Sequence, residues 1–256
     1  MTTITALETA FTSTVASDGT QVPILTHRPS TSLGLLVWAH GGSWQHGSAA
    51  AWAPVTAALA AHSGWALASV DYRLAPAHRF PAAVLDMLAA IEWAQAHAGN
   101  LPIVIGGDSA GGTIAAIAAI ARRDAGGPVP PQLLAYPPLD PSCARPSYTA
   151  VRGAFPNAAQ LRAAWRSWLD TRTPDAPCPP APLEVPSLAG LGPVVLVVGE
   201  DDPVRDDVTA YAERLRTGAV PTTLHLLPGV PHADLLNPAG TVLQAVTAAL
   251  NEPSAV

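Results

Sequence analysis

Short, mostly apolar runs punctuate the chain, and each stops at a turn. Residues 33–39 end at His40-Gly41-Gly42, residues 65–70 at Asp71, and residues 101–105 at Gly106-Gly107-Asp108-Ser109. Residues 133–136, 194–198 and 222–227 complete the series. Runs of this length, apolar on both faces, predict strands of a parallel sheet covered on both sides. Between them lie stretches with helical periodicity at 50–62, 81–97, 110–123, 206–217 and 239–250. Pro81 suits a first helical turn and Gly99 a helix stop. Strand–helix alternation predicts an α/β fold with helices on both faces of a mostly parallel sheet.

Two segments break the rhythm. Residues 1–31 are polar and rich in Thr and Ser, and read as two short edge strands or a loose arm. Residues 137–190 are rich in proline and turn formers, with one helical piece at 158–169 carrying Trp165 and Trp168 on one face. A segment this long without regular structure predicts a cap or lid inserted into a single domain spanning residues 1–256.

Composition narrows the function. The 256 residues are 49% hydrophobic and 12% charged, with a net charge of −6. That is globular composition, and it disfavours a nucleic-acid or anionic-membrane surface, which calls for clustered cations. All 13 basic residues are Arg. Without a Lys, Schiff-base chemistry, a P-loop and the Ser-x-x-Lys hydrolases are excluded. Cys143 and Cys178 lie far apart with no metal spacing, so neither a disulfide framework nor a metal site is expected. The N-terminus lacks a basic start followed by an apolar core, and no run reaches membrane-span length, so a cytoplasmic protein is expected.

Candidate chemistry sits at the strand ends. Gly107-Asp108-Ser109-Ala110-Gly111 matches Gly-x-Ser-x-Gly, with an apolar strand before it and an Ala/Ile-rich helix after it. Such a turn presents a strained serine at a helix N-terminus, so Ser109 is the candidate nucleophile. A merely connecting glycine turn is the alternative for the pentapeptide alone. Upstream, the backbone N–H groups of Gly41 and Gly42, with that of Ala110, are candidate donors to a developing oxyanion. Downstream of residues 194–198 come Glu200, Asp201, Asp202, Asp206 and Asp207. Asp206 and Asp207 read as solvated caps at a helix start. Asp202, braced by Pro203, is the candidate orienting acid, with Asp201 the alternative. Of eight histidines, His232 follows both the acid loop and the last strand, and is the candidate base. His225 lies inside that strand and reads as a packed or edge side chain.

Together these pieces resemble the hormone-sensitive-lipase-like family of microbial esterases. The resemblance rests on His40-Gly41-Gly42, Tyr72-Arg73-Leu74-Ala75-Pro76, Phe80-Pro81-Ala82-Ala83, Gly107 to Gly112, Asp202-Pro203-Val204-Arg205-Asp206 and His232. It implies the α/β-hydrolase fold, no cofactor, and hydrolysis of short-chain acyl esters through an acyl-enzyme. It also implies Asp202 rather than Asp201 as the acid, and bracing roles for Tyr72, Arg73 and Pro76. Three positions depart from the family pattern: Ser43 stands for a third glycine, Ala77 for a Glu, and Asp234 for an aromatic. The family's helical front segment has no counterpart in the short polar stretch before residue 33. The resemblance therefore implies a reduced cap with Trp44, Phe155, Trp165 and Trp168 as its apolar wall. A homodimer covering exposed apolar surface is a further expectation. Two alternatives stay open: a non-catalytic small-molecule binder, and a lactonase, amidase or peptidase using the same three side chains.

Overall fold

The computed structural model describes residues 6–150, 155–169 and 178–252. Eight strands form one sheet: β1 (Leu7–Val15), β2 (Gln21–Pro29), β3 (Leu35–Ala39), β4 (Ala66–Val70), β5 (Ile103–Asp108), β6 (Gln132–Ala135), β7 (Val194–Gly199) and β8 (Thr222–Leu227). Their spatial order is β1-β2-β4-β3-β5-β6-β7-β8. From β4 to β8 all neighbours run parallel, whereas β1–β2 and β2–β4 are antiparallel. Every residue of β3, β4 and β7 is buried, as strands covered on both faces require.

The helices are α1 (Ala53–Ser63), α2 (Ala82–His97), α3 (Ala110–Asp124), α4 (Ser147–Ala150), α5 (Ala158–Trp168), α6 (Arg205–Thr217) and α7 (Thr241–Ala249). Helix α1 packs on α7 and α2 on α3, while α3 and α6 share the 3-10 turn Pro182–Glu184. The sheet is thus flanked on both faces. Helix α3 is buried over its first twelve residues, which are small or β-branched, so it lies flush against β3, β5 and β6.

The N-terminal stretch is a hairpin rather than a loose arm. β1 and β2 pair in register from Leu7↔Pro29 to Val15↔Gln21. Only β1 lies at the sheet edge; β2 carries Val22, Ile24 and Leu25 into the core and pairs with β4. Thr-rich strands without an obvious apolar alternation gave no sign of that depth. The 222–227 run, expected to be covered like the others, forms the opposite edge and is only half-buried.

The segment between β6 and β7 contains α4, α5 and the Pro182–Glu184 turn. Part of the expected cap, residues 151–154 and 170–177, lies outside the described residues. Cys143 and Cys178 are free and buried. No helix among the described residues is long and apolar enough to cross a membrane.

Candidate active site

Ser109 occupies the turn from β5 to α3 with φ 49° and ψ −120°, a conformation that L-residues rarely adopt. Its N–H donates to Ala135 O at 2.8 Å, tying the turn to β6. The turn closes only because Gly111 lacks a side chain: a Cβ there would lie 2.0 Å from Ala39 O.

Ser109 Oγ lies 2.9 Å from His232 Nε2. His232 Nδ1 lies 2.8 Å from Asp202 Oδ2 and 3.0 Å from Oδ1. Asp202 is fully buried and also accepts the Val204 N–H at 2.9 Å, so its own loop fixes its plane. Asp201 is exposed, and its N–H donates to Val230 O. The three residues picked from the sequence therefore meet in one hydrogen-bonded relay. Ala233, directly after His232, takes φ 66°, turning the chain into the 3-10 turn Asp234–Leu236. Asp234 does not face outward as a loose charge: its Oδ2 accepts the Val242 N–H at 2.9 Å and anchors the start of α7.

Asp108 is a functional neighbour that the sequence reading missed. It is buried, and Trp38 Nε1 and Trp52 Nε1 each donate to it at 3.1 Å. Burial pushes its carboxyl up to about 6; the two indoles and the Gly41 amide pull the other way. Gly41 packs directly against this carboxyl: a Cβ on Gly41 would lie 2.5 Å from Asp108 Oδ2. The N–H groups of Gly41, Gly42, Ser43 and Ala110 make no backbone hydrogen bond among the described residues. Gly42, Ser43 and Trp44 take φ values of 117°, 55° and 61°, so the loop curls through three successive positive-φ residues.

Behind the loop, Tyr72 Oη donates to His40 O at 2.8 Å, and the Tyr72 ring stacks on His40 at 4.3 Å. Burial holds the His40 imidazole below its ordinary range, which keeps it neutral. Arg73 grips the buried Asp86, with Nη2–Oδ1 at 2.7 Å. Tyr72 and Arg73 are thus braces, as the resemblance implied.

Trp44, Trp165 and Trp168 are fully buried and pack on one another; Trp44 stacks on Trp168 at 4.6 Å and 3°, and lies 4.4 Å from Trp165. Helix α5 is thereby seated on the loop that follows β3. Phe155 is 64% exposed and joins none of these stacks. His225 sits half-buried on β8, away from the relay.

Asp207 overturns the expectation of a solvated cap. It is fully buried and accepts the N–H of Leu139 and the hydroxyl of Tyr148, at 3.1 and 2.8 Å. Asp206 accepts the Ser147 N–H at 2.8 Å, and Ser147 Oγ donates to Pro203 O at 2.6 Å. The start of α6 therefore clamps residues 139–148 beside the Asp202 loop.

A family model described as alpha/beta hydrolase fold matches residues 36–236. The carboxylic ester hydrolase LipN of Mycobacterium tuberculosis is 36% identical over 84% of this chain, which spans 61% of LipN's length. The ethyl acetate hydrolase of Pseudomonas putida is 32% identical, covering 84% of this chain and 72% of its own. Among solved structures, the hyperthermophilic esterase of Pyrobaculum calidifontis superposes with a TM-score of 0.88 at 29% identity. That match covers 97% of this chain and 87% of that one.

Proposed function

The chain belongs to the alpha/beta hydrolase fold family, and from that membership we propose that it is a serine carboxylesterase acting on short-chain acyl esters. The reading is carried by one observation: Ser109 Oγ, the His232 imidazole and the Asp202 carboxylate stand in a continuous relay of 2.9 and 2.8 Å. His232 Nε2 takes the Ser109 proton as Oγ bonds to the acyl carbon, and returns it to the leaving alcohol as the ester C–O bond breaks. Water, deprotonated by the same nitrogen, then releases the acid and restores Ser109. Asp202 orients the imidazole and stabilises its charged form.

The amides of Gly41, Gly42 and Ala110 serve the oxyanion in this reading, since none has a backbone acceptor among the described residues. Trp44, Trp165 and Trp168 form a solid layer behind the acyl site, the last two as part of a cap supplied by residues 137–190. Because the three rings fill space with one another, that layer favours small acyl groups. The name of the Pseudomonas relative, ethyl acetate hydrolase, agrees with that size. The unpaired outer edges of β1 and β8 would allow two copies to associate, which light scattering on the purified protein tests.

The test is hydrolysis of p-nitrophenyl acetate and butyrate by the wild type, Ser109→Ala and His232→Ala. Turnover is expected in the wild type and near-complete loss in both variants. Full activity in Ser109→Ala would overturn the proposal. A wild type that neither turns over these esters nor reacts with a fluorophosphonate would mark a binder instead.

A further inference from the structure

Tyr136 directly follows β6 and packs against the base of the relay. The preceding residue, Ala135, accepts the Ser109 N–H, and the Tyr136 N–H donates to Val197 O at 2.7 Å. The Tyr136 ring is fully buried, 4.7 Å from the His232 ring centre, with the two planes at 61°. The backbone is strained to hold it there: φ is 39°, a region costly for a bulky side chain. Its hydroxyl does not account for that strain. Among the described residues that hydroxyl is buried and has no hydrogen-bond partner. Burial, then Asp108, Asp202 and Asp234, hold the phenol in its neutral form. The ring, not the hydroxyl, is what the strained backbone presents to the base.

We propose that Tyr136 is a positioning residue for His232. Its ring sets the tilt of the imidazole between Ser109 and Asp202, and its π-electrons stabilise the positive charge the imidazole carries in the transition state. No proton passes through Tyr136. The proton moves from Ser109 Oγ to His232 Nε2 and on to the leaving oxygen. The proposal rests on the hydrolase reading above.

The test compares the wild type, Tyr136→Phe and Tyr136→Leu on p-nitrophenyl butyrate. Rates are expressed per fluorophosphonate-titrated site, so that unfolded molecules do not count. Tyr136→Phe keeps the ring and should stay within about twofold of the wild type. Tyr136→Leu should lose about threefold to thirtyfold in kcat, with KM little changed. The acidic limb of its kcat/KM profile should move to lower pH, since the charged imidazole loses support. Equal kcat per site in Leu and Phe variants, or an unmoved limb in Tyr136→Leu, would overturn the proposal while leaving the hydrolase reading intact. A wild type inert to both ester and fluorophosphonate would overturn the two together.

Discussion

Ser43 carries φ 55° in a loop where its neighbours Gly42 and Trp44 are also left-handed. A Cβ makes that conformation costly, whereas glycine adopts it freely. Ser43→Gly should therefore raise stability by about 0.5–1 kcal/mol in chemical denaturation, the local relief outweighing the extra freedom of the unfolded chain. Ester turnover should persist, because the oxyanion donors are backbone amides. Gly42→Ala is the opposite case: a Cβ there would lie 2.1 Å from His46 O at φ 117°. The loop would have to move, and kcat should fall on the order of 10²-fold with the fold retained by circular dichroism. Ser109, Asp202 and His232 were legible in the sequence because chain order and turn chemistry constrain them. Asp108 and Tyr136 were not. Their roles depend on rings brought from β3, the turn before α1 and the His232 loop, and no spacing in the chain encodes that meeting.

Between elements, Asp207 links the start of α6 to residues 139–148, with the Arg145 guanidinium 3.4 Å from its Oδ1. Burial, opposed by the Leu139 amide and the Tyr148 hydroxyl, pushes its carboxyl up to about 7. The folded state thus holds this proton more tightly than the unfolded chain, whose Asp titrates near ~3.9. The stability contributed by this protonated group is full below about pH 4 and is lost as the pH rises through about 7. Asp207→Asn keeps an acceptor for the Leu139 N–H and removes the titration. Its denaturation midpoint should fall less between pH 5 and 8 than that of the wild type, a difference on the order of 1–3 kcal/mol. Asp108, raised in the same direction, keeps its share in both proteins. Periodicity placed the long helices within a few residues, since each buries a continuous stripe. It misjudged Asp206 and Asp207 because an acidic pair at a helix start looks the same whether water or a neighbouring segment receives it.

Across the whole molecule, the six runs from β3 to β8 announced a parallel sheet, but the order in which β2 enters it beside β4 was not written locally. Where the chain leaves β4, an ionic cluster joins α2 to the hairpin turn. Arg73, following β4, donates from Nη2 to Asp86 of α2 and from Nη1 to Asp18 of the β1–β2 turn, both at 2.7 Å. The two partners differ in kind. Asp86 is fully buried and receives three Arg73 contacts and the Arg73 N–H, whereas Asp18 is 37% exposed. Removing the cation leaves Asp86 as an uncompensated buried charge, a far larger loss than the pair itself contributes. Arg73→Met, which keeps the apolar stem, should cost about 3–5 kcal/mol in chemical denaturation and loosen the hairpin. Asp18→Asn should change stability little, because water takes the place of the exposed contact. A double variant, Arg73→Met with Asp86→Leu, should recover much of the loss. If it instead falls as far as Arg73→Met alone, the loss comes from the contacts of the guanidinium itself and not from a stranded charge on Asp86.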